Sequence, residues 1–363
     1  MNRRKFLTGG GVAFAASGIA APAIAQSAPT LKWRMATSWP KSLDNLFGGC
    51  EFFAKRMAEM TDNNFQIRVF AGGEIVPPLQ VLDAVQNGTV EMGHTASYYY
   101  VGKDPTFTFD CTVPFGMNYR IMSSWLREAG GQELMNEFFK DFNITSIPAG
   151  NTGTQAGGWW RKEINTVEDL KGIKFRIGGW GGAVLSKLGV VPQQLGAADI
   201  YPALEKGTID AAEWVGPYDD KKLGFYKIVK YYYAPGWWEG QTSNSLYINL
   251  PQWNTLPPAY KSMVQAAAAE TNNWILARYD FLNPQALKRI IAAGTQLRYW
   301  SRPILDACFK ASRDLYAEES ARNPKFKKIY DRWSEYLVAQ DEWMRVEEQQ
   351  FDNYMYAKLG TKT

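Results

Sequence analysis

The sequence predicts an α/β protein made of two similar lobes, and two observations support this prediction. Strand-like and helix-like segments alternate over the first 255 residues, which is typical of helices packed on mainly parallel sheets. A short segment at residues 84–91 also recurs at residues 203–210, 119 positions later. Two lobes of similar build leave a cleft between them, and such clefts hold ligands.

The first predicted elements follow the order strand, helix, strand. Residues 31–38 and 65–71 alternate polar and apolar side chains, as strands do. Residues 52–60 between them have the apolar spacing of a helix. Residues 143–149 form a further strand-like run. These segments predict the sheet and helix layers of the first lobe.

Both copies of the repeat predict the same local structure. In each, an amphipathic helix stops at a glycine, Gly88 or Gly207, a residue that tolerates the left-handed conformation at a helix end. Thr and a β-branched residue follow and indicate the start of a buried strand. The repeat therefore predicts one helix–turn–strand unit in each lobe.

Helices are expected to dominate after residue 255. The last predicted helix extends from Pro324 to about Leu359, with proline at its first position. Roughly 34 residues at 1.5 Å each give about 50 Å, which is longer than one domain is wide. We expect this helix to connect the two lobes or to reach a second copy of the chain.

The composition restricts the possible chemistry. The chain has 363 residues, a net charge of +4, three cysteines, one histidine and 14 tryptophans. A chain of this length buries enough surface to fold without a disulfide or a structural metal. A single histidine, His94, excludes a zinc site of several imidazoles. The three cysteines form no C-x-x-C pair, so one disulfide and three buried thiols are both open.

Residues 1–25 have the features of an export signal. A pair of arginines at positions 3 and 4 precedes a short apolar run that ends in Ala23-Ile24-Ala25. The arginine pair followed by Phe-Leu resembles a twin-arginine signal. Removing this segment removes three cations and lowers the net charge to about +1, so nothing supports a nucleic-acid or anionic-membrane partner. We expect a soluble periplasmic protein.

Arg176 is the first candidate binding residue. It closes a short strand-like run, residues 174–177, and a glycine-rich stretch with Trp180 follows. Ligands of parallel sheets lie beyond the carboxyl ends of the strands. A guanidinium there can hold a carboxylate through two parallel hydrogen bonds. An ordinary surface arginine is the alternative.

Glu213 is the second candidate. It ends the strand-like run 208–213, on the same face as Ile209 and Ala211. A buried carboxylate requires a positive partner, either an arginine in an ordinary salt bridge or a bound cation. Since the chain has no cluster of histidines or thiols, a hard ion with oxygen ligands such as Na⁺ or Ca²⁺ is favoured.

Nucleotide-binding motifs are not supported. Residues 151–160 combine amides, hydroxyls and glycines but lack the lysine of a phosphate loop, and residues 178–182 lack the dinucleotide fingerprint. Six of the 14 tryptophans lie between residues 159 and 238. Such a cluster is expected to give the proposed cleft rigid apolar walls.

An ordered set of motifs identifies a family. Residues 170–177, 188–192 and 201–210 resemble the substrate-binding proteins of TRAP transporters, which are tripartite ATP-independent periplasmic systems. The resemblance extends over essentially the whole mature chain. Two further segments, 213–217 and 235–240, together with the 151–159 stretch, are similar to the branch that binds 2-oxo and 2-hydroxy monocarboxylates such as pyruvate and lactate.

The resemblance implies a fold with defined lobe boundaries. It is the two-lobed periplasmic binding protein fold, type II-like, with an interdomain cleft, hinge strands and a long C-terminal helix. Residues 26–150 and about 247–290 would form the first lobe. Residues 151–246 and about 291–363, with the C-terminal helix, would form the second.

The resemblance also implies a cation site. The side chains of Gln155 and Glu213, with the main-chain oxygen of Trp214, would hold Na⁺, or alternatively Ca²⁺, in contact with the substrate. Arg176 would bind the substrate carboxylate. Arginine, glutamate, a monocarboxylate and a monovalent cation sum to zero charge, and a closed cleft tolerates such a neutral cluster.

Further substrate contacts are implied for Asn151, Tyr100, Gln155 and Trp180. Most relatives have a proline-containing loop after the arginine strand, whereas here glycines flank Trp180. The pocket shape is therefore expected to differ from that of most relatives. Gln241 has no role assigned from the sequence.

The expected function is periplasmic solute binding for secondary active uptake. The ligand would be a pyruvate-like 2-oxo monocarboxylate with a metal cation, or else lactate or another 2-hydroxy acid as a calcium complex. The partners would be the integral membrane subunits of a TRAP permease, and the C-terminal helix would allow a homodimer. The alternative class is a periplasmic lyase or dehydratase on the same fold, with His94 as base and Glu213 as acid.

Overall fold

The computed structural model describes residues 29–359. The predicted export signal, residues 1–25, lies outside the described residues. Within them the chain forms two β-sheets covered by helices, so the predicted α/β class is confirmed.

The elements are numbered in chain order. The strands are β1 (Leu31–Thr37), β2 (Phe65–Phe70), β3 (Met92–Thr95), β4 (Ile144–Asn151), β5 (Trp159–Trp160), β6 (Lys174–Arg176), β7 (Val191–Gln193), β8 (Ala211–Ala212), β9 (Tyr231–Ala234), β10 (Ser243–Asn249) and β11 (Gln296–Tyr299). The α-helices are α1 (Leu46–Met60), α2 (Val81–Gln86), α3 (Tyr119–Glu128), α4 (Gly131–Phe139), α5 (Gly179–Ser186), α6 (Ala197–Glu205), α7 (Pro217–Leu223), α8 (Leu250–Thr255), α9 (Pro258–Ala292), α10 (Arg302–Arg322), α11 (Pro324–Val346) and α12 (Glu348–Leu359).

Lobe I is built on the first sheet, whose strand order is β2-β1-β3-β10-β4. In β1 the side chains of Trp33 and Met35 are buried and that of Lys32 is exposed, as the alternating sequence predicts. In α1 the buried residues Cys50, Phe53 and Met57 recur every three or four positions, which gives the helix its apolar stripe. Burial of this stripe fixes α1 against the sheet.

Lobe II is built on the second sheet, whose strand order is β11-β9-β5-β8-β6-β7. β6 runs parallel to both β7 and β8, and Arg176 is in register with Ala212. The carboxyl ends of β6 and β8 therefore lie side by side. Arg176 and Glu213, the residue after β8, meet at this edge.

The sheets are mixed, whereas the sequence predicted mainly parallel ones. β10 runs antiparallel to β3 and β4, and β5 runs antiparallel to β8 and β9. In lobe I the cause is the path of the chain, because β4 leaves for lobe II and β10 returns from it. Two strands that carry the chain out and back must run in opposite directions.

The repeat predicted from the sequence is present in the structure. α2 and α6 each end before a glycine with positive φ, Gly88 at 71° and Gly207 at 70°. The amide of Thr89 donates to the carbonyl of Ala84 at 2.8 Å, and that of Thr208 to Ala203 at 3.0 Å. The following strand starts a few residues later than the sequence suggested, at β3 and β8.

The chain returns to lobe I in β10, Ser243–Asn249, and the boundary predicted at about residue 247 falls within this strand. The first residues of β10, Ser243 and Asn244, pair with Asn151 and Gly150 at the end of β4. The two crossing segments, residues 151–158 and 235–242, thus run beside each other between the sheets. Thr152 N donates to Thr242 O at 3.1 Å.

The helix that connects the lobes is α9, which has 35 residues. It packs on α1 and β4 of lobe I and on α7 of lobe II. Asn45 Nδ2 donates to Ile275 O at 3.1 Å, and Tyr279 OH donates to Asp219 Oδ2 at 2.7 Å. The sequence assigned this connecting role to the C-terminal helix.

The C-terminal region differs from the predicted single helix in lobe II. It forms two helices, because Glu347 leaves the helical conformation with φ −103° and ψ −80°. α11 packs mainly on lobe I, where Phe326 and Trp333 contact Phe109 with ring centroids 4.9 and 5.9 Å apart. Its apolar stripe matches the aromatic surface of that lobe, so packing determines its position.

Other features of residues 29–359 complete the fold. Cys50, Cys111 and Cys308 are buried free thiols, which decides between the two open possibilities. Among the helices of these residues, none combines the length and apolar character that a membrane crossing requires.

Candidate functional site

The candidate site begins with a buried ion pair at the edge of the second sheet. Arg176 Nη1 donates to Glu213 Oε1 at 2.6 Å and to the carbonyl oxygen of Glu213 at 2.6 Å, and both side chains are about 1% exposed. Arg176 Nε donates to Leu195 O at 3.1 Å. These contacts hold the guanidinium rigidly and leave its second amino group free.

Unpaired polar atoms surround this ion pair. Arg176 Nη2, Glu213 Oε2 and Gln155 Oε1 are buried and have no hydrogen-bond partner among the described residues. Leaving such atoms unpaired costs about 1–3 kcal/mol each. One free donor that carries positive charge and two free oxygen acceptors are the groups that a carboxylate and a hard cation would satisfy.

Of the three residues with free atoms, Gln155 lines a cavity between the lobes, whereas Arg176 and its partner Glu213 lie behind the Trp214 ring that lines it. The volume of this cavity is about 10 Å³, enough for one water-sized group. On the lobe I side it is lined by Trp39, Leu46, Tyr98 and Tyr99. On the other side it is lined by the crossing segments and lobe II, through Thr152, Gln155, Trp214, Val215 and Thr242. The Arg176 guanidinium lies 4.9 Å from the Trp214 ring centroid, directly behind this wall.

The electrostatics of the site follow from its burial. Burial is the largest single influence on Arg176 and lowers its pKa, but the neighbouring groups, with Glu213 first, together raise the pKa of Arg176 above its usual value. Burial likewise raises the pKa of Glu213, against the attraction of Arg176. Burial and then the charge of Glu213 raise the pKa of Glu239 well above its usual value. Additional positive charge in the cavity would favour both carboxylates in their ionised forms.

The residues present fit a bound cation. Gln155 Oε1 and Glu213 Oε2 are neutral and anionic oxygens without partners, and Trp214, whose main-chain oxygen was the third predicted ligand, lines the same cavity as Gln155. Oxygen donors of this kind suit Na⁺ and Ca²⁺. Within residues 29–359 no group of three or more His, Cys, Asp or Glu side chains is placed to hold a metal ion, so the proposed ligands are two side-chain oxygens and a main-chain oxygen.

Two predicted contact residues, Tyr100 and Trp180, are placed elsewhere. Tyr100 lies in the lobe I core, where its hydroxyl accepts from Leu82 N at 3.1 Å. The Trp180 ring stacks on Tyr316 and Phe326 at 5.4 and 4.9 Å, and the glycine stretch around it forms the first turn of α5 instead of an open loop. Neither residue lines the cavity.

Asn151 and Gln241 bind each other. Asn151 Nδ2 donates to Gln241 Oε1 at 2.5 Å, and Asn151 Oδ1 accepts from Gly153 N at 2.9 Å. Gln241 Nε2 donates to Cys111 O at 2.5 Å. The two amides therefore connect the crossing segments. This gives Gln241 a structural role. Asn151 Nδ2 also donates to Ser243 Oγ at 3.4 Å, so both of its N–H groups have partners.

The sequence analysis missed several residues of the cavity. Tyr98 and Tyr99 occupy it in place of Tyr100, because successive residues of the 3₁₀ helix 97–100 point in different directions. Trp39 follows the end of β1, so the rule that ligands lie beyond strand ends would have found it. Glu239 lies in the 235–240 motif and Thr242 lies two residues after it. No other feature of the sequence distinguished these two residues.

The two-lobed fold with a charged site in its cleft defines a solute-binding protein of the periplasmic type. Residues 35–323 match the DctP family, the bacterial extracellular solute-binding proteins of family 7, and the chain belongs to this family. The predicted recognition is therefore confirmed. Because the family consists of solute-binding proteins, the enzyme alternative with His94 and Glu213 is set aside.

Individual relatives cover almost the whole chain. A monocarboxylate 2-oxoacid-binding periplasmic protein of Nostoc sp. is 46% identical over 98% of this chain and 99% of its own. A TRAP solute-binding protein of Bordetella bronchiseptica, a dimer with calcium and picolinate in its active site, is 50% identical with a TM-score of 0.90, over 91% and 98% of the two chains. A TRAP solute-binding protein of Pseudoalteromonas atlantica with bound sodium and pyruvate is 36% identical with a TM-score of 0.87, over 89% and 99%.

Proposed function

We propose that this chain binds a small 2-oxo monocarboxylate of pyruvate size together with Na⁺ or Ca²⁺. One observation carries the proposal: Arg176 Nη2, Gln155 Oε1 and Glu213 Oε2 are buried and free of partners, Gln155 lines a small cavity, and Arg176 lies against the Trp214 ring that forms its wall. In this assignment Arg176 binds the carboxylate. Gln155, Glu213 and the Trp214 main-chain oxygen hold the cation, which contacts the substrate oxygens.

The aromatic wall supports a small ligand. Trp39 and Trp214 approach each other across the cleft with ring centroids 6.3 Å apart, and Tyr98 and Tyr99 fill the space beside them. The names of the relatives point to the same ligand class, since they include a 2-oxoacid-binding protein and a protein with bound pyruvate. Lactate or another 2-hydroxy acid as a calcium complex is the second candidate.

The cellular role follows from this assignment. Residues 1–25 would direct export through the twin-arginine route, and the loaded protein would deliver its ligand to the membrane subunits of a TRAP permease. In this proposal the hinges are the crossings at residues 151–158 and 235–242. Exposed apolar residues on α11 and α12, including Trp343 at 52% and Phe351 at 65%, would pack against a second copy of the chain.

Calorimetry tests the cation requirement. Pyruvate is titrated into the mature chain in sodium, in calcium, and in choline chloride with a chelator. Affinity is expected to fall at least tenfold without the cations, because Glu213 would then repel the substrate carboxylate. Equal affinity in all three buffers would contradict the proposed cation. Sedimentation velocity on the same samples is expected to give the mass of a dimer.

A further inference from the structure

The orientation of the Gln155 side chain is determined by two threonine hydroxyls. Gln155 Nε2 lies 3.2 Å from Thr152 Oγ1 and 2.9 Å from Thr242 Oγ1. At the other end of the amide, Oε1 is buried and has no partner among the described residues. The amide would present a different atom to the cavity if it were turned by 180°, so its neighbours decide which atom faces a ligand.

The hydroxyl protons are committed elsewhere. A threonine hydroxyl has one proton to donate and two lone pairs to accept with. Thr152 Oγ1 donates to Gly153 O at 2.8 Å, and Thr242 Oγ1 donates to Glu239 Oε2 at 3.1 Å. Thr152 Oγ1 also accepts from Thr242 N, so it can face Gln155 only as an acceptor. Thr242 Oγ1 faces the same amide nitrogen and therefore accepts from it as well. Only the NH₂ group of the amide can satisfy them, which leaves Oε1 for the cavity.

The backbone holds these two hydroxyls in place. Thr152 follows β4 and Thr242 precedes β10, so they belong to the two crossing segments. Thr242 N donates to Thr152 Oγ1 at 3.1 Å, and Thr152 N donates to Thr242 O at 3.1 Å. Gln155 N in turn donates to Glu239 O at 3.1 Å. The acceptors and the amide are thus parts of one hydrogen-bonded unit.

We propose that Thr152 and Thr242 are positioning residues that hold the Gln155 amide with its oxygen directed to the bound cation. This inference rests on the proposed function, in which Gln155 is a cation ligand. Residues that orient metal ligands through hydrogen bonds typically affect metal affinity by about 10–100-fold when they are removed. This arrangement therefore predicts an effect of that size on cation affinity and no loss of the fold.

The test compares Thr242→Val with Thr242→Ser in the mature protein. Tryptophan fluorescence reports binding, because Trp39 and Trp214 line the cavity. Calcium is titrated at fixed pyruvate, and the calcium concentration at half-maximal binding is the readout. Valine removes the acceptor, so this midpoint is expected to rise about 10–100-fold, and saturating calcium restores pyruvate binding. Serine keeps the hydroxyl and is expected to stay within threefold of the wild type.

A control and the contrary results separate the two proposals. Thr255→Val removes an exposed hydroxyl that bonds only to Gln252 O, and it should change nothing. An unchanged calcium midpoint in Thr242→Val overturns the positioning role while leaving the cation site intact. Pyruvate binding that saturating calcium does not restore also overturns it. A wild type that binds pyruvate without any cation overturns the proposed function and this inference together.

Discussion

The two walls of the cleft differ in chemistry. Lobe I contributes aromatic rings, Trp39, Tyr98 and Tyr99, and burial raises the pKa of Tyr99 so that its hydroxyl stays neutral. Lobe II contributes the buried charges of Arg176 and Glu213. Charges interact strongly only where water is excluded, and the aromatic wall excludes it. Binding should therefore depend on lobe II for attraction and on lobe I for closure.

Removing the charge of lobe II should have the largest effect. Arg176→Ala is expected to weaken pyruvate binding at least about 100-fold, because a buried charge-assisted contact contributes about 1.5–3 kcal/mol or more. Arg176→Lys keeps the charge but loses the two-pronged geometry, so its affinity should lie between those of the wild type and Arg176→Ala. Calorimetry measures both.

The control for this prediction is a surface arginine. Arg302→Ala removes a side chain that is 90% exposed and pairs with Asp306. It should leave pyruvate affinity unchanged. If folded Arg176→Ala bound pyruvate with an affinity within threefold of the wild type, the charge of lobe II would not be what attracts the pyruvate carboxylate.

The pH dependence of protein stability tests the packing of His94 against Trp39 in the wall of lobe I. Its Nδ1 accepts from Trp39 Nε1 at 2.7 Å and its Nε2 contacts Ala149 O at 3.2 Å, which requires the neutral ring. Burial lowers the pKa of His94 from 6.5 to about 4. The unfolded chain therefore takes up the proton first, and stability is lost as the pH falls from 6.5 toward 4.

The expected size follows from the pH interval. Between pH 7 and pH 5 the wild type should lose about 2 kcal/mol of unfolding free energy relative to His94→Asn, at about 1.4 kcal/mol per pH unit below 6.5. Denaturant unfolding of both proteins at the two pH values measures this difference. Other groups, such as Asp110 with a pKa raised to about 6 by burial, are present in both proteins and cancel. If the difference in unfolding free energy between the two proteins were the same at pH 7 and pH 5, the His94 ring would not be neutral in the folded protein.

Some features of the molecule were predictable from the sequence and others were not. The pairing of Arg176 with Glu213 was foreseeable, because both residues end apolar strands where an unpaired charge is costly. The repeat was foreseeable from its glycines. The break at Glu347 and the role of α9 depend on packing between distant segments, which no local pattern encodes. The resemblance implied Tyr100, whereas the directions of successive residues in the 3₁₀ helix 97–100 place Tyr98 and Tyr99 at the cavity.

Gly178 shows how closely the two walls meet. A Cβ on Gly178 would lie 2.4 Å from Tyr98 Cε2 and 3.0 Å from Tyr98 Cζ, so lobe I rests on bare backbone of lobe II. The φ of Gly178 is −84°, which any residue adopts. The hydrogen bond that the Gly178 backbone N–H donates to Glu213 Oε1 at 2.9 Å would be kept in an alanine variant. Gly178→Ala should therefore act only through the contact with Tyr98.

Gly178→Ala is expected to weaken pyruvate binding about tenfold, equivalent to about 1.4 kcal/mol, because the lobes cannot approach fully. Small-angle scattering with pyruvate should show a larger radius of gyration than for the wild type. Gly102→Ala is the matched control, since a Cβ there meets nothing within 4 Å. Adding Tyr98→Ala to Gly178→Ala removes the clash and should restore the compact radius. If Gly178→Ala alone had the same radius of gyration with pyruvate as the wild type, the Tyr98 side chain would have moved to make room for the added Cβ. Closure would then depend less on the aromatic side of the cleft than its packing indicates.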